Sequence, residues 1–240
     1  MKKILAVLIA ATFIFSLASC GSSGSGSKNE PVKTEPTDPP TIASEKSIAN
    51  ISFKTPDNYE SVGRYIIKSA DGKITEKDIS FYFDDDSSIT YACNIGIKLA
   101  DVLPLSSLKK EKYNGMNYYI YESKPDKAAL IQRGKDVYGF RYSFAKDIDN
   151  KAFKKKMNEL SFTNSTSVGA DIDDDLYAIN YSFDKSWKLI GSENNLYENP
   201  KGEITKKDIS WSFGKDKENP DFRFMIKVVK NAKVKDELPD

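Results

Sequence analysis

The side chains that could carry chemistry in this chain are carboxylates and two cysteines, because the sequence contains no histidine. Without imidazole, the Ser-His-Asp and Cys-His catalytic arrangements are excluded, and so is every zinc site that uses histidine. Glu76 and Asp78 form an acidic pair at alternate positions, which a carboxylate-dependent hydrolase could use. Turn capping is the commoner use of such carboxylates, so we expect a non-catalytic protein that needs no cofactor.

Cys20 closes a short apolar segment at the start of the chain. Two lysines precede about 14 apolar residues (4–17), fewer than the roughly 20 that cross a bilayer, which predicts a signal peptide. The closing residues Leu17-Ala18-Ser19-Cys20 resemble the lipobox of bacterial lipoproteins. This resemblance implies that residues 1–20 hold the signal peptide and the lipidation site, with Cys20 as the acylated first residue of the mature chain. Plain secretion with cleavage near Ser19 is the alternative.

Residues 21–47 are rich in Gly and Ser and then in Pro, Thr and Glu, with almost nothing to bury. This composition predicts a disordered tether with a mean reach of about 30 Å. The expected location is therefore the extracellular side of the cell membrane, with the lipid on Cys20 as the anchor. A cell-envelope protein or glycan is the expected partner. Nucleic acid is not, because 36 basic residues against 35 acidic ones leave a net charge of +1 and no basic stripe.

The chain repeats itself at an offset of 130 residues. GKITEKDISFYF at 72–83 returns as GEITKKDISWSF at 202–213, with eight of twelve positions identical. The same offset places Ser52-Phe53 on Ser182-Phe183, so the repeat extends over a module rather than one short motif. The counterparts of Glu76 and Asp78 are Lys206 and Asp208, so the acidic pair is not kept in both copies.

The first module, residues 48–165, is predicted to be rich in strands. Apolar residues alternate around Ile51, over Val62–Ser69, in the repeated segment and in a long strand from Ile89 to Leu99. Further strands are predicted over Met116–Ser123, Ala128–Gln132 and Val137–Ala145, and a short helix over Asp101–Lys112. Asp149 is expected to cap a closing helix that buries Phe153, Met157 and Leu160 and leaves Lys151, Lys154, Lys155 and Lys156 outside.

Four features of the modules have both a functional and a structural interpretation. Cys93 lies in the inward series of its strand, so a small buried side chain is expected rather than a nucleophile. The alternating rings of Tyr138, Phe140, Tyr142 and Phe144 could stack on sugars or bases, but core packing is favoured. The lysine cluster of the closing helix could meet anionic lipid or teichoic acid, although a solvated face explains it. The aspartates at 171 and 173–175 lack the glycine and glutamate of a calcium loop and predict an acidic linker at 166–176.

The order of these elements resembles the PsbP-like fold, named for an extrinsic photosystem II subunit and shared by small bacterial lipoproteins. The similarity is carried by ISFKTP, NGMNYYIYES, YGFRYSF and DNKAFKKKMNELSF. It implies an α+β class, an antiparallel β-sheet packed with helices, and a binding or accessory role without a transferred catalytic residue.

The second copy, residues 177–240, is incomplete relative to the first. It lacks counterparts of the last strands and of the closing helix, so either the chain is truncated, which the sequence favours, or this copy leans on the first. The resulting hypothesis is a membrane-anchored surface lipoprotein that binds an unidentified ligand. A structural envelope protein without a specific ligand is the first alternative, and a carboxylate-dependent hydrolase is the second.

Overall fold

The structure is a computed structural model that describes residues 47–162, 171–172, 182–184, 186–214 and 220–230. Of these residues, 55% lie in strands and 9% in two helices. The predicted α+β class, with a sheet packed by helices, is therefore wrong. The fold is β-rich and is dominated by one antiparallel sheet of ten strands.

The first copy contributes ten strands and both helices. In chain order they are β1 (Ser47–Ile48), β2 (Ile51–Ser52), β3 (Ser61–Ser69), β4 (Ile74–Tyr82), β5 (Ser88–Asn94), α1 (Leu99–Val102), β6 (Lys109–Tyr113), β7 (Met116–Ser123), β8 (Asp126–Arg133), β9 (Asp136–Ser143), α2 (Asn150–Glu159) and β10 (Ser161–Phe162). The second copy adds β11 (Leu189–Glu198), β12 (Ile204–Phe213) and β13 (Phe222–Val229). The large sheet has the order β13-β12-β11-β3-β4-β5-β9-β8-β7-β6, and β1, β2 and β10 form a small second sheet.

The helix expected over Asp101–Lys112 is the clearest local error. Only Leu99–Val102 is helical, a single 3-10 turn follows at Leu105–Ser107, and Lys109–Tyr113 forms β6. Pro104 disfavours helical backbone in the residue before it, and the Asn114-Gly115 turn aligns β6 with β7. The long strand expected from Ile89 also ends early, at Asn94, because Gly96 adopts a left-handed φ of 72°.

One face of the large sheet, the core face, is covered by α2 and by the small sheet. Ile79, Tyr91 and Phe140 are direct neighbours on this face, and each is at most 1% exposed. Phe53 stacks on Tyr91 with ring centroids 4.0 Å apart. The predicted closing helix is confirmed: Asp149 accepts hydrogen bonds from two backbone amides of its first turn, at 2.8 and 3.1 Å. Phe153, Met157 and Leu160 are buried, as the sequence pattern indicated.

The second copy continues the sheet of the first through an antiparallel pair between β3 and β11. Tyr65 pairs with Asn195, and these two residues are each other's counterparts at the repeat offset of 130. The neighbouring pairs are reciprocal. Arg64 lies opposite Leu196, the counterpart of Ile66, and Ile66 lies opposite Asn194, the counterpart of Arg64. The two copies are therefore related by a local two-fold axis, as in an isologous dimer built into one chain. The second copy thus leans on the first, the alternative that the sequence left open.

The described part of the linker, Asp171 and Ile172, lies across this junction on the core face. Lys68 Nζ is 3.1 Å from the Asp171 carboxylate and donates to the Ile172 carbonyl at 3.0 Å. Asn194 Nδ2 of the second copy donates to the same carbonyl at 3.4 Å, and the Ile172 side chain is 2% exposed. This short segment is therefore hydrogen-bonded to both copies and stabilises the pairing of β3 with β11.

Candidate functional site on the polar face

The opposite face of the sheet carries a row of polar side chains across the local two-fold axis. Asp208, Asn195, Tyr65 and Asp78 are consecutive neighbours on β12, β11, β3 and β4, so their side chains lie on one face. We call this the polar face. Helix α1 packs on it against Leu130 and Val137, several strands away from the row. Both copies of the repeat therefore supply side chains to one surface.

In the second copy the buried carboxylate of this row has its partners. Asp208 is 6% exposed, accepts a hydrogen bond from Asn195 Nδ2 at 2.8 Å and lies 3.3 Å from Lys206 Nζ. A neighbouring carboxylate, Glu193, is bonded by both terminal nitrogens of Arg223, at 3.0 and 3.3 Å. Charge-assisted bonds of this kind compensate the desolvation of a carboxylate.

In the first copy one oxygen of the equivalent carboxylate has no such bond. Asp78 is also 6% exposed, yet its Oδ1 atom accepts no hydrogen bond from any residue that the structure describes. Burial raises the pKa of Asp78 to about 7, and Arg141 offsets only part of that rise. Burial also raises the pKa of Glu76 well above its ordinary range, with Asp78 and Glu193 adding like-charge repulsion.

Two substitutions between the copies account for this difference. Tyr65 stands where the second copy has Asn195, and Glu76 stands where it has Lys206. The amide donor and the cation that satisfy Asp208 are thus both replaced, one by a phenol and the other by a second acid. Asp78 is therefore partly protonated at neutral pH, unlike a carboxyl group with an ordinary pKa.

Three tyrosine rings also lie on the polar face. Tyr82 and Tyr197 lie over Gly63 with their ring centroids 6.4 Å apart, and a Cβ atom at Gly63 would approach the Tyr197 ring to 3.0 Å. The third ring, Tyr65, is partly buried, and its pKa is raised by burial and then by Glu193, Glu76 and Asp78. Burial also raises the pKa of Tyr197. Tyr65 and Tyr197 therefore stay neutral and can both donate and accept hydrogen bonds.

The arrangement suits recognition of a hydrogen-bonding ligand. Tyr65, Tyr82, Tyr197, Glu76 and Glu193 are partly exposed, whereas Asp78 is buried. Planar tyrosine rings offer apolar contact area, while the carboxyl groups accept hydrogen bonds from ligand hydroxyl or amine groups. A search for three or more acidic, cysteine or histidine side chains arranged to hold a metal ion finds none among the described residues.

No protein-family model, curated protein or solved structure matches this chain. What the protein does must therefore follow from its own residues, and the polar face is the strongest candidate among them.

Cys93 lies on the core face and is fully buried. Burial raises the pKa of its thiol to about 12, with a further contribution from Asp136, so little thiolate forms at neutral pH. The interpretation as a small buried side chain is confirmed.

Other residues singled out from the sequence have structural roles. Tyr138 and Phe140 are each 1% exposed within the core, which confirms core packing over a stacking platform. The helix lysines are exposed, except for the partly buried Lys156. Cys20 and the aspartates at 173–175 lie outside the described residues.

The sequence identified Glu76 and Asp78 but not the residues around them. Tyr65, Tyr82, Tyr197 and Glu193 went unnoticed because strand alternation predicts which residues share a face, but not which face stays open. The useful signal was the exchange of Asn for Tyr and of Lys for Glu between the two copies.

Proposed function

We propose that this protein is a non-catalytic binding module, anchored to the outer face of a cell membrane by the lipid on Cys20, that recognises an envelope glycan. The observation that carries the proposal is the acidic pair of Glu76 and Asp78 beside Tyr65, on the face that also carries Tyr82 and Tyr197. Glycans present hydroxyl groups that donate to carboxylates and C–H faces that pack on aromatic rings. Burial of the unsatisfied Oδ1 atom of Asp78 is unfavourable, and a ligand hydroxyl group that reached this atom would relieve it.

The anchor is supported by residues 1–20, whose lipobox-like sequence remains a prediction because it lies outside the described residues. None of the helices in the described part of the chain is long and apolar enough to cross a bilayer. Two acyl chains on Cys20 would give stable membrane attachment, and residues 21–47 would hold the folded part away from the surface.

Replacing Cys20 with alanine is expected to release the full-length protein from bacterial cells. Fractionation and metabolic labelling with palmitate measure this directly, because acylation requires the cysteine thiol. The parent chain should carry the label and sediment with membranes, whereas the variant should appear unlabelled in the medium. A parent chain without label would contradict the anchor. Cys93→Ala is the matched control and should keep both the label and the location.

Replacing Tyr197 with leucine is expected to weaken glycan binding at least tenfold. The change removes the phenol and the planar ring but keeps an apolar side chain over Gly63, so folding should be retained. Binding of the full chain to purified cell-wall polysaccharide fragments is measured by titration calorimetry. Tyr121→Leu is the control. Tyr121 is a 40% exposed tyrosine of β7 that lies on the polar face, away from Tyr65, Tyr82 and Tyr197.

Two outcomes of this titration would reject the proposed function. If the parent chain binds no wall fragment, the structural envelope protein without a ligand becomes the better interpretation. If Tyr197→Leu and Tyr121→Leu weaken binding equally, the glycan is held elsewhere.

A carboxylate-dependent hydrolase is the second candidate function. Its support is the raised pKa of Asp78, about 7, which is the range of a general acid at neutral pH. Cleavage of the wall fragments by the parent chain but not by Asp78→Asn would favour this candidate. Binding without cleavage would favour the proposed one.

A further inference from the structure

The outer strand of the second copy, β13, presents apolar side chains to solvent. Phe222, Phe224 and Met225 are 40%, 42% and 56% exposed, and the nearby Trp187 is 44% exposed. β13 is the first strand of the sheet order, and no strand among the described residues pairs with its outer edge. An edge that no described strand pairs, beside exposed aromatic rings, is a surface on which another strand can add.

The first copy shows what covers the same surface. Lys227 pairs with Asp208 as Ala92 pairs with Asp78, so β13 is the counterpart of β5. Every residue of β5 is buried because β9 pairs along its other edge. On the core face, Phe140 of β9 lies opposite Tyr91, whose counterpart in β13 is Ile226.

An aromatic cluster lies around β13, and its counterpart in the first copy is buried. Phe183 corresponds to Phe53, which is 5% exposed in the core of the first copy. Phe183 contacts Trp211 and Phe224 at centroid distances of 5.1 and 5.6 Å, and Trp187 contacts Phe222 at 4.8 Å. These rings form an aromatic cluster next to the edge of β13 that no described strand pairs.

We propose that β13 accepts an antiparallel strand from a partner protein, and that this strand carries alternating aromatic residues as β9 does. The backbone of the added strand would complete the ladder along β13. Its alternate aromatic side chains would cover Phe224 and Ile226 on the core face, as Tyr142 and Phe140 cover Ile89 and Tyr91. Such β-strand addition obtains affinity from main-chain hydrogen bonds and specificity from alternate side chains.

The test uses the peptide DVYGFRYSF, which copies residues 136–144 and contains no tryptophan. Both tryptophans of the full chain, Trp187 and Trp211, belong to the aromatic cluster, so their fluorescence reports on this surface alone. We expect a saturable blue shift and at least tenfold slower hydrogen exchange at the β13 amides. A peptide of equal composition in scrambled order should produce neither effect.

Phe224→Ser should weaken peptide binding at least tenfold, whereas Tyr121→Ser, which changes a ring of similar exposure on β7, should not. Equal binding of the scrambled peptide would overturn the proposal, because the surface would then be merely adhesive. Dimerisation of the chain through β13 in sedimentation experiments would also overturn it, since a second copy would be the occupant. A blue shift caused by lipid vesicles but not by the peptide would assign the surface to a membrane instead.

Discussion

Replacing Glu76 with lysine is expected to stabilise the folded chain at neutral pH by about 2 kcal/mol. This magnitude is that of a hydrogen bond to a charged group, roughly 1.5–3 kcal/mol. The substitution copies the second copy, in which Lys206 lies 3.3 Å from the equivalent carboxylate. It removes a like charge from beside Asp78 and adds a cation that favours the ionised form.

The pH dependence of stability gives the sign of this effect. The raised pKa means that folded Asp78 keeps a proton between about pH 4 and pH 7, whereas the unfolded chain has released it. The folded state then binds more protons than the unfolded state, so the free energy of unfolding falls as pH rises through this window. In Glu76→Lys, folded Asp78 releases its proton at a lower pH, so less stability is lost as the pH rises. The free energy of unfolding of the variant should therefore exceed that of the parent chain by more at pH 8 than at pH 5.

Urea unfolding of the parent and of the variant at pH 5 and pH 8 measures this directly. Lys206→Glu is the matched reverse exchange, and it should destabilise the chain because it leaves Asp208 beside an acid. Asp78→Asn should abolish the part of the pH dependence that belongs to this carboxyl group. If Glu76→Lys and Lys206→Glu change the free energy of unfolding in the same direction, Glu76 does not disfavour the ionised form of Asp78.

The sequence predicted local structure well where alternation and turns agree. Val62–Ser69 was predicted to be a strand and is part of β3, and the cap at Asp149 together with the spacing of Phe153 predicted α2. The error at Asp101–Lys112 arose because Lys109–Tyr113 carries little apolar periodicity. Its strand is fixed by pairing with β7, which a local pattern cannot show.

The fold class was missed for a related reason. The α+β prediction assumed that two short helices form a layer packed on the sheet. The second copy instead adds three long strands to the sheet of the first. The pairing of β3 with β11 leaves no mark in either strand alone, because any edge strand offers free backbone groups. The repeat offset located the counterparts Tyr65 and Asn195, but only the structure shows that they face each other.

The candidate site lay within reach of the sequence only in part. Alternation places Glu76 and Asp78 on one face, and the repeat exposes the exchange of Lys206 for Glu76. The burial of Asp78 depends on strands that pair with β4 and on Arg141 of β9, which are distant in sequence. The raised pKa of Asp78 is therefore a property of the folded sheet and not of a motif.

Replacing Gly191 with alanine is expected to destabilise the joint between the two copies by about 3 kcal/mol, at the upper end for an overpacked site. A Cβ atom at this position would lie 2.5 Å from the backbone carbonyl oxygen of Lys68 on β3. Since a backbone atom of a paired strand cannot turn aside, β11 has to move away from β3. The counterpart Ser61 carries a side chain, so the close contact at Gly191 belongs to this position and not to the repeated strand.

Gly63→Ala is the matched control on the opposite strand of the same pair. Its Cβ atom would meet the ring of Tyr197 at 3.0 Å, and a ring can shift, so a loss of about 1 kcal/mol or less is expected. Both changes lower the entropy of the unfolded chain equally, so their difference isolates the contact. Hydrogen exchange should show β3 and β11 opening together in Gly191→Ala but not in Gly63→Ala. Equal losses in the free energy of unfolding would mean that β11 can move away from β3 as easily as the Tyr197 ring can shift. The two copies would then not hold the polar face in a fixed arrangement.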